Sequence, residues 1–129
     1  MSADSKVPEG LQYTATHEWV KLEGKMATMG ITDHAQSELT DVVFVEFPPV
    51  GKVLKEKDVV LTLESVKTVA EVYAPAAGKV IKVNDEVKKT PELVNKDPYG
   101  KGWLVVLEVA SPPANLLSPE KYKGSMTSH

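Results

Sequence analysis

One lysine stands in a setting that suits covalent chemistry. Lys67 lies in Glu64-Ser65-Val66-Lys67-Thr68, between an apolar run over Asp58–Leu63 and another over Val69–Tyr73. Both runs read as strands, which puts Lys67 at or beside a hairpin tip. A tip offers an amine to a modifying enzyme from several directions and lets a long attached arm sweep through solvent. A lone lysine among 15 is ordinarily a solvated charge, and Glu-Ser-Val-Lys without context is a weak motif. The flanking strands, the following Tyr73-Ala74-Pro75 and a central place in an internal repeat set Lys67 apart.

Other chemistry is sparse. The chain has no cysteine, which excludes disulfides, thiolate metal sites and cysteine nucleophiles. Any thiol chemistry needs an added group to bring the sulfur. His17, His34 and His129 show no close metal-ligand spacing. No nucleophile with an adjacent base can be assembled, so an enzyme is disfavoured. All 15 basic residues are lysine and the formal net charge is −3. A nucleic-acid binder would carry a basic stripe and Arg base readers. No apolar run approaches the roughly 20 residues needed to span a bilayer. The polar segment Met1–Gly10 resembles neither a signal peptide nor a transit peptide. The expected location is the cytoplasm in a prokaryote, or the mitochondrial matrix, with the presequence absent, in a eukaryote.

The elements that must position Lys67 are mostly short strands. Glu18–Leu22 and Met26–Ile31 read as a hairpin about Glu23-Gly24-Lys25. Thr32–Leu39 reads as a short helix, with Asp33 as cap and Gln36 completing a capping box. Val42–Phe47 is a strongly apolar strand stopped by Pro48-Pro49. Lys79–Val83 and Gly102–Val109 add strands, Pro91–Asn95 one helical turn, and Ser118–Tyr122 a terminal helix capped by Ser118. Gly51-Lys52-Val53-Leu54-Lys55 recurs as Gly78-Lys79-Val80-Ile81-Lys82, which suits a pseudo-two-fold β sandwich. The expected fold is mostly β, a flattened β-barrel or sandwich with a few short helices. One domain over residues 11–123 is expected, with flexible segments at 1–10 and 124–129.

The segment Glu64-Ser65-Val66-Lys67, followed by Val72-Tyr73-Ala74-Pro75 and Gly78, resembles the lipoylation segment of glycine cleavage H proteins. Thr16-His17-Glu18-Trp19, Gly30-Ile31-Thr32-Asp33-His34-Ala35-Gln36 and Val42-Val43-Phe44-Val45 are similar to that family too. So are Glu92-Leu93-Val94-Asn95, Asp97-Pro98-Tyr99-Gly100 and Gly102-Trp103, and the likeness covers roughly residues 11–123. Thr40 departs from the pattern, standing where the family usually has Gly, and the part after Ser118 is shorter and less typical.

The resemblance implies the lipoyl/biotinyl-like hybrid fold and lipoic acid joined by an amide to Lys67, with Glu64, Ser65 and Val66 as the lipoylation motif. It implies a non-catalytic carrier that takes an aminomethyl group from glycine decarboxylase (P protein) to the aminomethyltransferase (T protein). Dihydrolipoyl dehydrogenase (L protein) then reoxidises the arm. A lipoate ligase or a lipoyl/octanoyl transferase would attach the arm. The positions matching the family's arm cleft are Thr16, Glu18 and Glu71, the last where Asp is common. They would hold the ammonium of the aminomethyl group by charge-assisted hydrogen bonds. Alternatives are a lipoyl donor that relays the group to other enzymes, or a lipoyl module of another multienzyme complex. Biotinyl domains usually flank their lysine with Met, whereas Val66 and Thr68 stand here.

Overall fold

The computed structural model describes residues 6–110, 113 and 116–127. Alternating apolar and polar residues build two antiparallel sheets. The larger contains β1 (Gln12–Tyr13), β2 (Glu18–Glu23), β3 (Met26–Ile31), β9 (Val105–Val109), β8 (Gly78–Val83) and β5 (Val53–Leu54), paired in that order. The smaller contains β4 (Val42–Glu46), β6 (Val59–Ser65) and β7 (Val69–Tyr73), with β6 in the middle. Ala27, Met29, Val80 and Leu107 of the first sheet share one buried cluster with Val45, Leu63 and Val72 of the second. The fold is therefore a mostly β sandwich of two sheets rather than a closed barrel. Among the described residues no helix is long and apolar enough to cross a membrane.

The sequence repeat is a symmetric pairing. Its two copies pair antiparallel, Val53 with Lys79 and Leu54 with Gly78. At the equivalent positions, Val80 N donates to Lys52 O at 2.9 Å. The β6–β7 ladder, with Glu64 opposite Val69, folds the chain about the same midpoint, at Val66–Lys67. The segment Glu64–Lys67 thus sits where both ladders turn.

Several expectations shift. Helix α1 (Asp33–Leu39) is capped by Thr32, whose hydroxyl accepts from Ala35 N, and not by Asp33. Asp33 instead accepts from Gln36 Nε2 at 2.8 Å, inside the first turn. The expected strand Gly102–Val109 begins only at Val105, because Gly102 packs tightly on the carbonyls of Leu93 and Asp97. Helix α2 (Asp85–Lys89), capped by Asn84, had no expectation, and α3 (Leu93–Lys96) starts two residues after Pro91. Helix α4 (Pro119–Thr127) runs beyond Tyr122, with Ser118 Oγ accepting from Lys121 N. The expected flexible ends fall partly on residues 1–5 and 128–129, which lie outside the described residues.

Thr40 closes α1 with φ 62° and ψ −148°. That region is almost exclusive to glycine and strains a β-branched residue. Thr40→Gly is expected to stabilise the chain by about 1 kcal/mol after the entropy of glycine is counted. Thermal unfolding should show a rise in Tm of roughly 3–5 °C. A lowered Tm would contradict the strain.

Candidate functional site

The β6–β7 tip is held by one side chain. Ser65 Oγ accepts from Lys67 N at 3.2 Å and Thr68 N at 3.0 Å, and donates to Thr68 O at 3.1 Å. Val66 N donates to Asp41 O at 3.0 Å, which ties the tip to the segment before β4. These bonds satisfy the tip backbone locally and leave the Lys67 side chain exposed in solvent. Glu64 is exposed at the end of β6 and Val66 is exposed on the tip.

Strand β7 is an edge of its sheet. Beside it opens a cleft of about 370 Å³, whose far walls come from the lead into β2 and from α1. Thr16, Glu18 and Glu71 all line it, and Thr68, next to the tip lysine, lies at the same cleft. Ile31, Ala35, Leu39, Leu63, Ala70 and Val72 give it an apolar lining.

Glu18 is 2% exposed, an unusual place for a carboxylate. One of its oxygens accepts from the hydroxyls of both Thr14 and Thr16, and the other accepts from Tyr73 N at 3.2 Å. Two carboxylate oxygens offer about four lone-pair sites, so one site on the second oxygen is left for a further donor. Burial raises the Glu18 pKa above the usual value of 4.5, and the bonds from Thr14, Thr16 and Tyr73 oppose that rise. Glu71 is exposed, and its carboxylate accepts from Tyr73 OH at 3.2 Å.

The raised Glu18 pKa has a definite sign for stability. Folding favours the protonated form, so this contribution is full below 4.5 and is lost as pH rises through the folded midpoint. Melting wild type and Glu18→Gln at pH 4 and pH 8 isolates it. The Tm difference should move in favour of the variant at the higher pH, whereas an unchanged difference would contradict the assignment.

Two histidines, His17 and His34, also line the cleft. His17 has φ 72°, and its carbonyl accepts from Thr32 N at 3.0 Å. Its Nδ1 lies 2.7 Å from the hydroxyl of Tyr122, which is also 2.7 Å from Thr32 Oγ1. Burial, then the nearby His34, hold His17 below its usual pKa, with Glu38 acting the other way. The two rings lie 4.6 Å apart, and buried His34 Nδ1 has no hydrogen-bond partner among the described residues. Glu38 also lines the cleft, while Thr14 and Tyr73, which bond Glu18, line a neighbouring hollow. Nothing in their spacing marks them, since the cleft joins three separated segments. Trp19 is core, with its indole N–H donating to Pro98 O at 2.9 Å.

No group of three or more metal-ligating side chains gathers among the described residues. A second hollow, of about 540 Å³, shares Thr16 and Glu18 with the cleft and is otherwise walled by Thr14, Glu56, Lys57, Tyr73, Pro75 and Leu116, among others. The site is therefore an exposed amine beside an apolar cleft with carboxylates at one end. It can carry an acylating group and shelter a cationic end of it.

Comparison with known proteins agrees with that geometry. The family model described as glycine cleavage H-protein matches residues 11–129. A glycine cleavage system H protein of Rubrobacter xylanophilus is 51% identical over 118 residues, 92% of this chain and 93% of that protein. A probable glycine cleavage system H protein of Thermoplasma acidophilum is 52% identical over 119 residues, 92% of this chain and 95% of that protein. The crystal structure of a glycine cleavage system H protein from Mycobacterium marinum superposes with a TM-score of 0.88 at 34% identity. That match covers 94% of this chain and 99% of the other.

Proposed function

The chain belongs to the glycine cleavage H-protein family, and on that premise we propose that Lys67 is its site of lipoyl attachment. Its function is that of the lipoyl carrier of the glycine cleavage system. The observation that carries the attachment site is the exposed Lys67 side chain on a tip whose backbone is already satisfied by Ser65. An amine so placed can enter another enzyme's active site without local unfolding.

When bound, the lipoyl group supplies the disulfide and dithiol chemistry that the cysteine-free chain lacks. The chain's own residues position and protect. An amide arm on lysine spans about twelve bonds from Cα to the nearer sulfur, each advancing roughly 1.2 Å, or about 14 Å in all. Along β7 the four residues from Lys67 to Glu71 advance about 13 Å. The cleft containing Thr16, Glu18 and Glu71 is therefore within reach.

An aminomethyl cargo carries an ammonium. The free site on Glu18, the Thr16 hydroxyl oxygen and the Glu71 carboxylate can each accept from it. A cation beside Glu18 also opposes the effect of burial on that carboxyl. The partners are the P, T and L proteins and a lipoate ligase or lipoyl/octanoyl transferase. The chain itself acts as a non-catalytic substrate of each.

Reconstitution tests this function. With the three partner enzymes, glycine, tetrahydrofolate and NAD, the lipoylated chain should support NADH formation and the unlipoylated chain should not. Equal rates with both forms would overturn it.

A further inference from the structure

Val42-Val43-Phe44-Val45 reads as a buried strand, yet Val43 and Phe44 are 52% and 51% exposed. The cause is a β-bulge between Val42 and Phe44. One extra residue lets Val42 and Val45 face the core while the two residues between them stay outside. Phe44 pairs with Glu64, and Glu64 pairs with Val69, which is 61% exposed. Val66, 69% exposed, and Lys67 close the row at the tip. Four exposed apolar side chains, Val43, Phe44, Val66 and Val69, thus form a collar at the Lys67 end of the smaller sheet, with Glu64 set between Phe44 and Val69. Burial in the core explains none of them, and exposed apolar side chains gathered in one place mark a contact surface. The charge beside it has one sign. Every charged side chain on β4, β6 and β7 is a carboxylate, namely Glu46, Glu64 and Glu71.

We propose that this collar is the docking face for the enzyme that acylates Lys67, a partner presenting an apolar patch rimmed by Lys or Arg. This rests on the reading of Lys67 as the attachment site. The reaction joins the free amine Nζ to the acyl carbon of an activated lipoyl group. The amide C–N bond forms, the activating group leaves with its bonding pair, and Nζ releases a proton. The bare lysine side chain reaches only about 6 Å from its Cα, given standard bond lengths. An enzyme acting on Nζ must therefore come down onto Val66, Val69 and Phe44. Enzymes that handle the far end of a loaded arm meet it about 14 Å out and can stand clear of the collar. Carboxylates around an apolar centre select a basic rim and steer its approach.

The test measures kcat/KM for lipoylation by a lipoate ligase, read by intact mass, in wild type, Phe44→Lys, Val66→Ser and Val53→Ser. Val53 is 74% exposed on the other sheet and serves as the control. Phe44→Lys should lower kcat/KM at least tenfold, mainly through KM, and Val66→Ser about threefold. Val53→Ser should stay within twofold. Lipoylated Phe44→Lys, made by prolonged reaction, should be reoxidised by dihydrolipoyl dehydrogenase within twofold of wild type. Unchanged acylation in both collar variants overturns the proposal. So does an equal loss in acylation and reoxidation, or a wild-type dimer that Phe44→Lys disperses. If wild type gains no lipoyl mass at Lys67, the attachment site itself is wrong.

Discussion

Lys67→Arg is expected to abolish lipoylation completely. Arginine keeps the charge and much of the length, so the exposed tip should fold as before. Its guanidinium stays protonated at any working pH and has no free electron pair with which to attack an acyl carbon. Incubation with a lipoate ligase should add one lipoyl mass to wild type and none to the variant. The variant should also support no glycine-dependent NADH formation when the partner enzymes are added. Modification persisting in Lys67→Arg would move the attachment to another of the 15 lysines.

The second large effect belongs to Glu18. Glu18→Gln keeps the size of the side chain and removes the carboxylate proposed to hold the cargo. A hydrogen bond to a charged group contributes about 1.5–3 kcal/mol, so the loaded arm should lose its shelter by roughly 10- to 100-fold. Ammonia release from the aminomethyl-loaded protein, followed with time, measures this directly. Glu71→Gln should accelerate release less than about threefold, since an exposed carboxylate is screened by water. Equal effects of the two substitutions would mean that burial of Glu18 does not set the strength of the interaction.

The difference between what was legible in the sequence and what was not follows from distance along the chain. The Lys67 tip is a local object. Its strands adjoin it in sequence and Ser65, two residues away, organises its backbone. The repeat was readable for the same reason, and its meaning as a symmetric antiparallel pair appeared once Val53 was found opposite Lys79. The cleft joins residues from the lead into β2, from α1 and from β7. Thr16, Glu18 and Glu71 came only through family resemblance, and Tyr73, His17 and His34 carried no signal of their own. The bulge at Val43 was invisible because an apolar run looks the same whether all or half of it is buried. The cap of α1 was misplaced by one residue, since Thr32 and Asp33 both suit that role and backbone geometry chose Thr32. Thr40 was noticed as a departure, and its positive φ shows why glycine suits that position.

The claim on which everything else rests is that Lys67 bears the sulfur cofactor. Intact mass of the protein from its native source, followed by peptide mapping, tests it most directly. The account predicts a lipoyl mass confined to the peptide containing Lys67. A native protein with that peptide always unmodified, or with the lipoyl group on a different lysine, would contradict it.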